Sequence, residues 1–124
     1  MRAPEPLPAL RVVAASEALD DLTPLDEHPM LRLAPDDLLV IGAASVQVSG
    51  EHLVVDETGF VGWWLTPEEL RDQVIPHVDW PLPTARPALA QGLVAGVPAK
   101  LWLAEDRALL LCAAAYAHEL QERL

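Results

Sequence analysis

The residues of this chain that can do acid–base, nucleophilic or metal chemistry are four histidines, one cysteine and 19 carboxylates. Metal binding asks for ligands at set spacings, as in HExxH on a helix or CxxC in a loop, and neither motif occurs. His28, His52, His77 and His118 read as isolated surface histidines, none at metal spacing with a second ligand on one helix face. A nucleophilic cysteine needs an electropositive, partly exposed setting. Cys112 instead ends the apolar run LLLC and reads as a buried, inert small hydrophobe. Adjacent acids are abundant (Asp20-Asp21, Asp36-Asp37, Asp56-Glu57, Glu68-Glu69), but a composition this acidic produces such pairs by itself. No GxGxxG or GxxxxGK[ST] loop is present to cradle a phosphate. The expectation is therefore no catalytic, cofactor-binding or metal-binding residue in this chain.

Binding chemistry is better represented. Four tryptophans occur in 124 residues, three of them between Trp63 and Trp80. Trp63 and Trp64 are adjacent, and consecutive residues of a strand face opposite sides. One indole is expected in the core; the other faces solvent, a second layer of the domain, or a partner. Tryptophan is enriched at interface hot spots, so Trp63, Trp64 and Trp80 are the candidate partner interface. Packing of both adjacent indoles inside one domain is the alternative.

The elements that would hold these residues follow from pattern. Pro4, Pro6 and Pro8 make residues 1–9 an extended arm. A single α+β domain is expected over 10–124, in keeping with the length. LRVVAA over 10–15 reads as a first strand, and the acidic, proline-bearing stretch 16–36 as a loop with a short helical turn. LLVI at 38–41 reads as a buried strand. Val46 and Val48, the turn Ser49-Gly50, and Leu53 to Val55 read as a hairpin. FVGWWL at 60–65 is another strand. Thr66-Pro67-Glu68-Glu69 is a capping box with proline in the first helical position, opening a helix over 67–75. Four prolines make 76–87 an irregular connection. Strands are expected over 89–94, 97–104 and 108–113, with turns at Ala95-Gly96 and Glu105-Asp106, then a helix over 114–124. Leu101, Leu103, Leu109, Leu111, Tyr116 and Leu120 are expected to pack together. The fold class is thus α+β, an antiparallel sheet with about two helices.

Composition excludes whole classes. The formal charge is −11, with 19 acidic and 8 basic residues. Phosphate neutralisation and docking to anionic lipid both need a basic surface, so neither nucleic acid nor membrane is an expected partner. A single cysteine excludes an internal disulfide. The N-terminal residues lack an apolar leader run, and no stretch of 18 apolar residues occurs. A cytoplasmic protein is expected.

Four segments, in order, resemble the sarcosine oxidase gamma subunit family. They are LAPDDLLVIG at 33–42, HVDWPL at 77–82 with Asp79 matching a family Asp, AQGLVAGVPAKLW at 90–102, and AAYAHELQERL at 114–124. Gly92 stands where the family has Thr, Ala115 where it has Ser, and Gln121 and Arg123 replace closing aromatics. The resemblance implies ferredoxin-like elements, as in the aminomethyltransferase folate-binding domain. It implies a non-catalytic accessory subunit packed on a larger flavin- and folate-dependent amine-oxidising partner. Flavin, NAD, zinc and folate would belong to the other subunits. A stand-alone small-ligand-binding or interaction domain, self-associating as a homodimer, is the alternative. A third class is a small enzyme assembling His77, Asp79 or His118 through the fold.

Overall fold

The computed structural model describes residues 1–23 and 27–124. The fold is mixed α and β, built on antiparallel sheets with short helices. The described residues group into two compact units, Met1–Pro6 with Gly59–Leu124, and Leu7–Thr58. The sequence pattern instead predicts an arm over 1–9 and one domain over 10–124.

The first unit holds a five-stranded sheet. Its strands are β1 (Glu5–Pro6), β6 (Phe60–Leu65), β7 (Ala88–Val94), β8 (Val97–Leu103) and β9 (Ala108–Ala113), in the order β1-β6-β9-β8-β7. The capping box forms as expected: Glu69 N–H donates to Thr66 Oγ1, and Thr66 N–H to the Glu69 carboxylate. Helix α2 (Pro67–Glu69) then widens into a π-helical turn, Leu70–Val74, and tightens into a 3-10 turn, Ile75–His77. The helical path therefore runs two residues beyond the expected end at 75, because the tighter turn accommodates Pro76. The β7–β8 hairpin turns at Ala95 and Gly96, both at positive φ, the type I′ geometry that matches strand twist. That turn is held from two sides. Ala95 N–H donates to the His77 carbonyl at 2.9 Å, and Arg123 Nη1 to the Ala95 carbonyl at 2.8 Å. The last helix is a 3-10 turn, Ala114–Tyr116, continuing as α3 (Ala117–Arg123).

The core of this unit gathers Trp63, Leu65, Val74, Leu101, Leu103, Leu110 and Leu120. This corrects the expected set. Leu101 lies opposite Leu110 in the β8–β9 register, so Leu109 and Leu111 project from the other sheet face. They are buried there, apart from this cluster. Tyr116 sits on the 3-10 turn and is 43% exposed, so it leaves the core list.

The second unit is a four-stranded antiparallel sheet, β3-β4-β2-β5, from β2 (Ala9–Ala14), β3 (Met30–Ala34), β4 (Asp37–Ile41) and β5 (His52–Glu57). Helix α1 (Ser16–Asp20) contributes Leu19 to a core with Leu10, Val12, Leu38 and Val40. Two expectations are corrected. The stretch 16–36 contains a full strand, β3, between Pro29 and Pro35; residues 24–26 of that stretch lie outside the described residues. The hairpin through Val46 and Val48 does not form. Those valines pack on the core without joining a ladder, and β5 pairs with β2 instead. Among the described residues no helix is long and apolar enough to cross a membrane.

Candidate functional site

The most distinctive side-chain arrangement is a row across the five-stranded sheet, on the face opposite Trp63 and Leu110. Strand register sets Trp64 of β6 beside Leu109 of β9, and Leu109 beside Trp102 of β8. The two indoles lean together over Leu109, ring centroids 6.1 Å apart and planes at 86°, the edge-to-face geometry that aromatic quadrupoles favour. Arg107, two residues before Leu109, brings its guanidinium over both rings, 4.4 Å from the Trp64 centroid and 5.6 Å from that of Trp102. Cations on indole faces are attracted electrostatically, by roughly 0.5–2 kcal/mol. Both rings are half-buried.

The same face repeats the motif along β6 and β8. Lys100 Nζ lies 5.9 Å from the Phe60 centroid and donates to Gln91 Oε1 at 3.0 Å. Phe60, Gln91, Leu93, Pro98, Lys100 and Tyr116 help line an open groove of about 380 Å³. A second cleft, about 250 Å³, lies where Trp64 and Arg107 meet Thr66, Glu69 and Asp106. The Arg2 guanidinium donates to the Glu69 carboxylate and to the Trp64 carbonyl. Two hydrogen bonds to Glu69, from Thr66 N–H and from the Arg2 guanidinium, hold its pKa below the ordinary glutamate value.

The sequence-selected tryptophans have three different fates. Trp63 is 1% exposed and internal; its Nε1–H donates to the Arg2 carbonyl at 2.7 Å. Trp80 lies across strand β7, donating to the Leu93 carbonyl at 2.8 Å. A Cβ on Gly92 would stand 2.7 Å from the Trp80 ring, so glycine there is what lets the indole lie down. Only Trp64 of the three combines a half-buried ring with a neighbouring aromatic and a cation. Sequence reasoning missed Trp102 and Arg107. The signal was available, because alternation from Leu101 and Leu103 puts Trp102 on the opposite face.

The titratable residues are dispersed. His28 and His52 bond through Nδ1 to the Ile41 and Gly50 carbonyls. His118 does share a helix face with a carboxylate, correcting the spacing census: its Nε2 is 3.0 Å from Glu122, four residues on, both exposed. His77 serves through its carbonyl at the β7–β8 turn, and Asp79 is exposed. Burial pushes the Cys112 thiol up, away from the reactive thiolate. Among the described residues no group of three or more His, Cys, Asp or Glu is placed to hold a metal ion. The arrangement can present flat aromatic surface and delocalised positive charge beside the carboxylates of Glu69 and Asp106. No family model, curated protein or solved structure matches the chain.

Proposed function

We propose that this protein is a non-catalytic accessory subunit that packs on a larger flavin- and folate-dependent amine-oxidising partner, in the manner of a sarcosine oxidase gamma subunit. The observation that carries the reading is the Trp64–Trp102–Arg107 row. Tryptophan and arginine are the residues that dominate interface energetics, and here they form one preorganised cluster on a rigid sheet. The segment 90–102, one of those resembling the gamma family, supplies β8 and Trp102 of that cluster. The acidic charge favours a partner with a complementary basic face over nucleic acid. On this reading the protein works in the cytoplasm and the cofactors stay with the partner.

The test is capture from native cells with tagged full-length protein. A flavoprotein should be retained whose flavin is reduced by N-methyl amines, and Trp64→Ala or Trp102→Ala should release it. Retention of no flavoprotein, or equal retention by both variants, would overturn the reading.

The groove beside Lys100 favours a second reading, a stand-alone domain for a small ligand with an apolar body and an anionic end. Lys100→Met would then abolish ligand binding while leaving assembly intact.

A further inference from the structure

Four strand edges terminate the two sheets, and three are blunted in recognised ways. Strand β1 is two residues long and ends in Pro6. Strand β7 has the Trp80 indole lying on it. Strand β3 has a bulge between Arg32 and Ala34, and Arg32 donates to the Pro35 carbonyl there. Among the described residues strand β5 has none of these three devices, its edge charges being confined to Asp56 and Glu57 at one end. It pairs with β2 through six residues without a register shift and contains no proline or lysine. In an antiparallel ladder alternate residues turn N–H and C=O away from the neighbour, so an edge strand offers a template for a further strand.

The side chains of β5 are also unusual for an edge. Leu53 is 58% exposed and Val55 43%. Both share a face with Val13, itself 40% exposed and directly opposite Leu53. The other face of β5 carries His52, Val54 and Asp56.

We propose that β5 is a self-association surface, on which two copies of this chain pair antiparallel about a two-fold axis at Val54. In that register Leu53 lies opposite Val55 of the second copy, and His52 opposite Asp56. Symmetry makes each pairing occur twice. Apolar side chains thus meet apolar ones on one face, and an imidazole meets a carboxylate on the other. Neighbouring registers lack this complementarity. A one-residue slip sets Leu53 against Asp56 in one direction and Glu51 against Asp56 in the other; a two-residue slip sets Leu53 against Glu57, or Val55 against Glu51. In the favoured register Glu57, the last residue of β5, faces Glu51 on the side of Leu53 and Val55, and each copy carries a charge of −11. Association is therefore opposed by repulsion that salt screens, and it strengthens as ionic strength rises.

Sedimentation of the full chain over a concentration series, at about 0.01 M and about 1 M salt where screening lengths are roughly 30 and 3 Å, tests this. The parent should move from 13.5 kDa toward twice that mass, more readily at high salt. Leu53→Lys and Val55→Glu should each weaken association about tenfold or more when alone. Mixing the two should restore it, because the new lysine faces the new glutamate only in the proposed register. Circular dichroism melts matching the parent would show that both variants fold. A parent that stays monomeric at high salt, a Leu53→Lys variant that dimerises normally, or a mixture that fails to recover would overturn the proposal. Trp64→Ala should leave this association unchanged, which separates it from the accessory-subunit reading.

Discussion

The two sheets treat their margins differently. In the five-stranded sheet one edge is a two-residue strand and the other lies under an indole, and the half-buried aromatic pair sits on a face, at Trp64 and Trp102. In the four-stranded sheet the exposed apolar residues sit at an edge, on β5 and its neighbour Val13. A face presents side chains only, so it selects partners by shape and charge. An edge presents backbone as well, so it accepts another strand and uses side chains to set register. The two proposals follow this difference: a foreign surface is proposed for the aromatic face, a second copy for the bare edge.

The comparison breaks first if the five-stranded sheet is not rigid. Leu101 and Leu120 are fully buried in its core. Leu101→Ala and Leu120→Ala should each cost roughly 2–5 kcal/mol in denaturant melts, while Tyr116→Ala, at an exposed position, should stay within about 0.5 kcal/mol. Equal effects from Leu120 and Tyr116 would place α3 outside the core.

Next in size is the covered edge. Gly92→Ala puts a methyl 2.7 Å from the Trp80 ring, and overpacking of this kind costs about 1–3 kcal/mol. Adding Trp80→Ala removes the clash, so the double variant should be more stable than the sum of the single losses predicts. Strict additivity would mean that Trp80 does not lie on β7 in solution.

How much of this was legible in the sequence depends on whether the signal was local. The capping box at Thr66, the turn at Ala95-Gly96, strands at 60–65 and 108–113 and the burial of Cys112 all follow from neighbouring residues, and all are present. The partner of β5 was not legible. Val46 and Val48 alternate as a strand would, yet that alternation records one side packed on a core, and β2 takes the ladder from far along the chain. Strand β3 was hidden by its acidic, proline-marked surroundings, although Pro29 and Pro35 only bracket it. Nor does composition change at Pro6 or Thr58, where the chain leaves one compact unit for the other. The face of Leu109 and Leu111 was recoverable. A turn at Glu105-Asp106 already sets Leu101 opposite Leu110, but the run LLLC is apolar on both faces and conceals the alternation. Trp102 slipped from the candidate site for the same reason.

A smaller effect is expected at the helix that borders the Trp64 cleft. Thr66→Ala removes one hydrogen bond of the capping box and should cost about 1 kcal/mol. It should not disturb the bare β5 edge, so salt-dependent association ought to survive it. Loss of that association in Thr66→Ala would tie together two regions that the present reading keeps functionally separate.

The subtlest difference is electrostatic. Glu69 accepts from Thr66 N–H, the largest cause of its lowered pKa, and secondly from Arg2. A carboxylate whose pKa is depressed by folding stabilises the fold above its unfolded-state pKa, and that contribution fades as pH falls through the folded-state value. A carbon-detected NMR titration should therefore find Glu69 protonating below an ordinary glutamate. Arg2→Ala should raise its pKa only part of the way, since the backbone donor remains. Thr66→Ala leaves the same N–H in place and should keep the pKa low if the first helical turn persists. A Glu69 that returns to the ordinary range in Arg2→Ala would make the guanidinium the dominant cause. Glu69, one of the residues lining the cleft beside Trp64, would then be held ionised chiefly by Arg2, with the helix cap secondary.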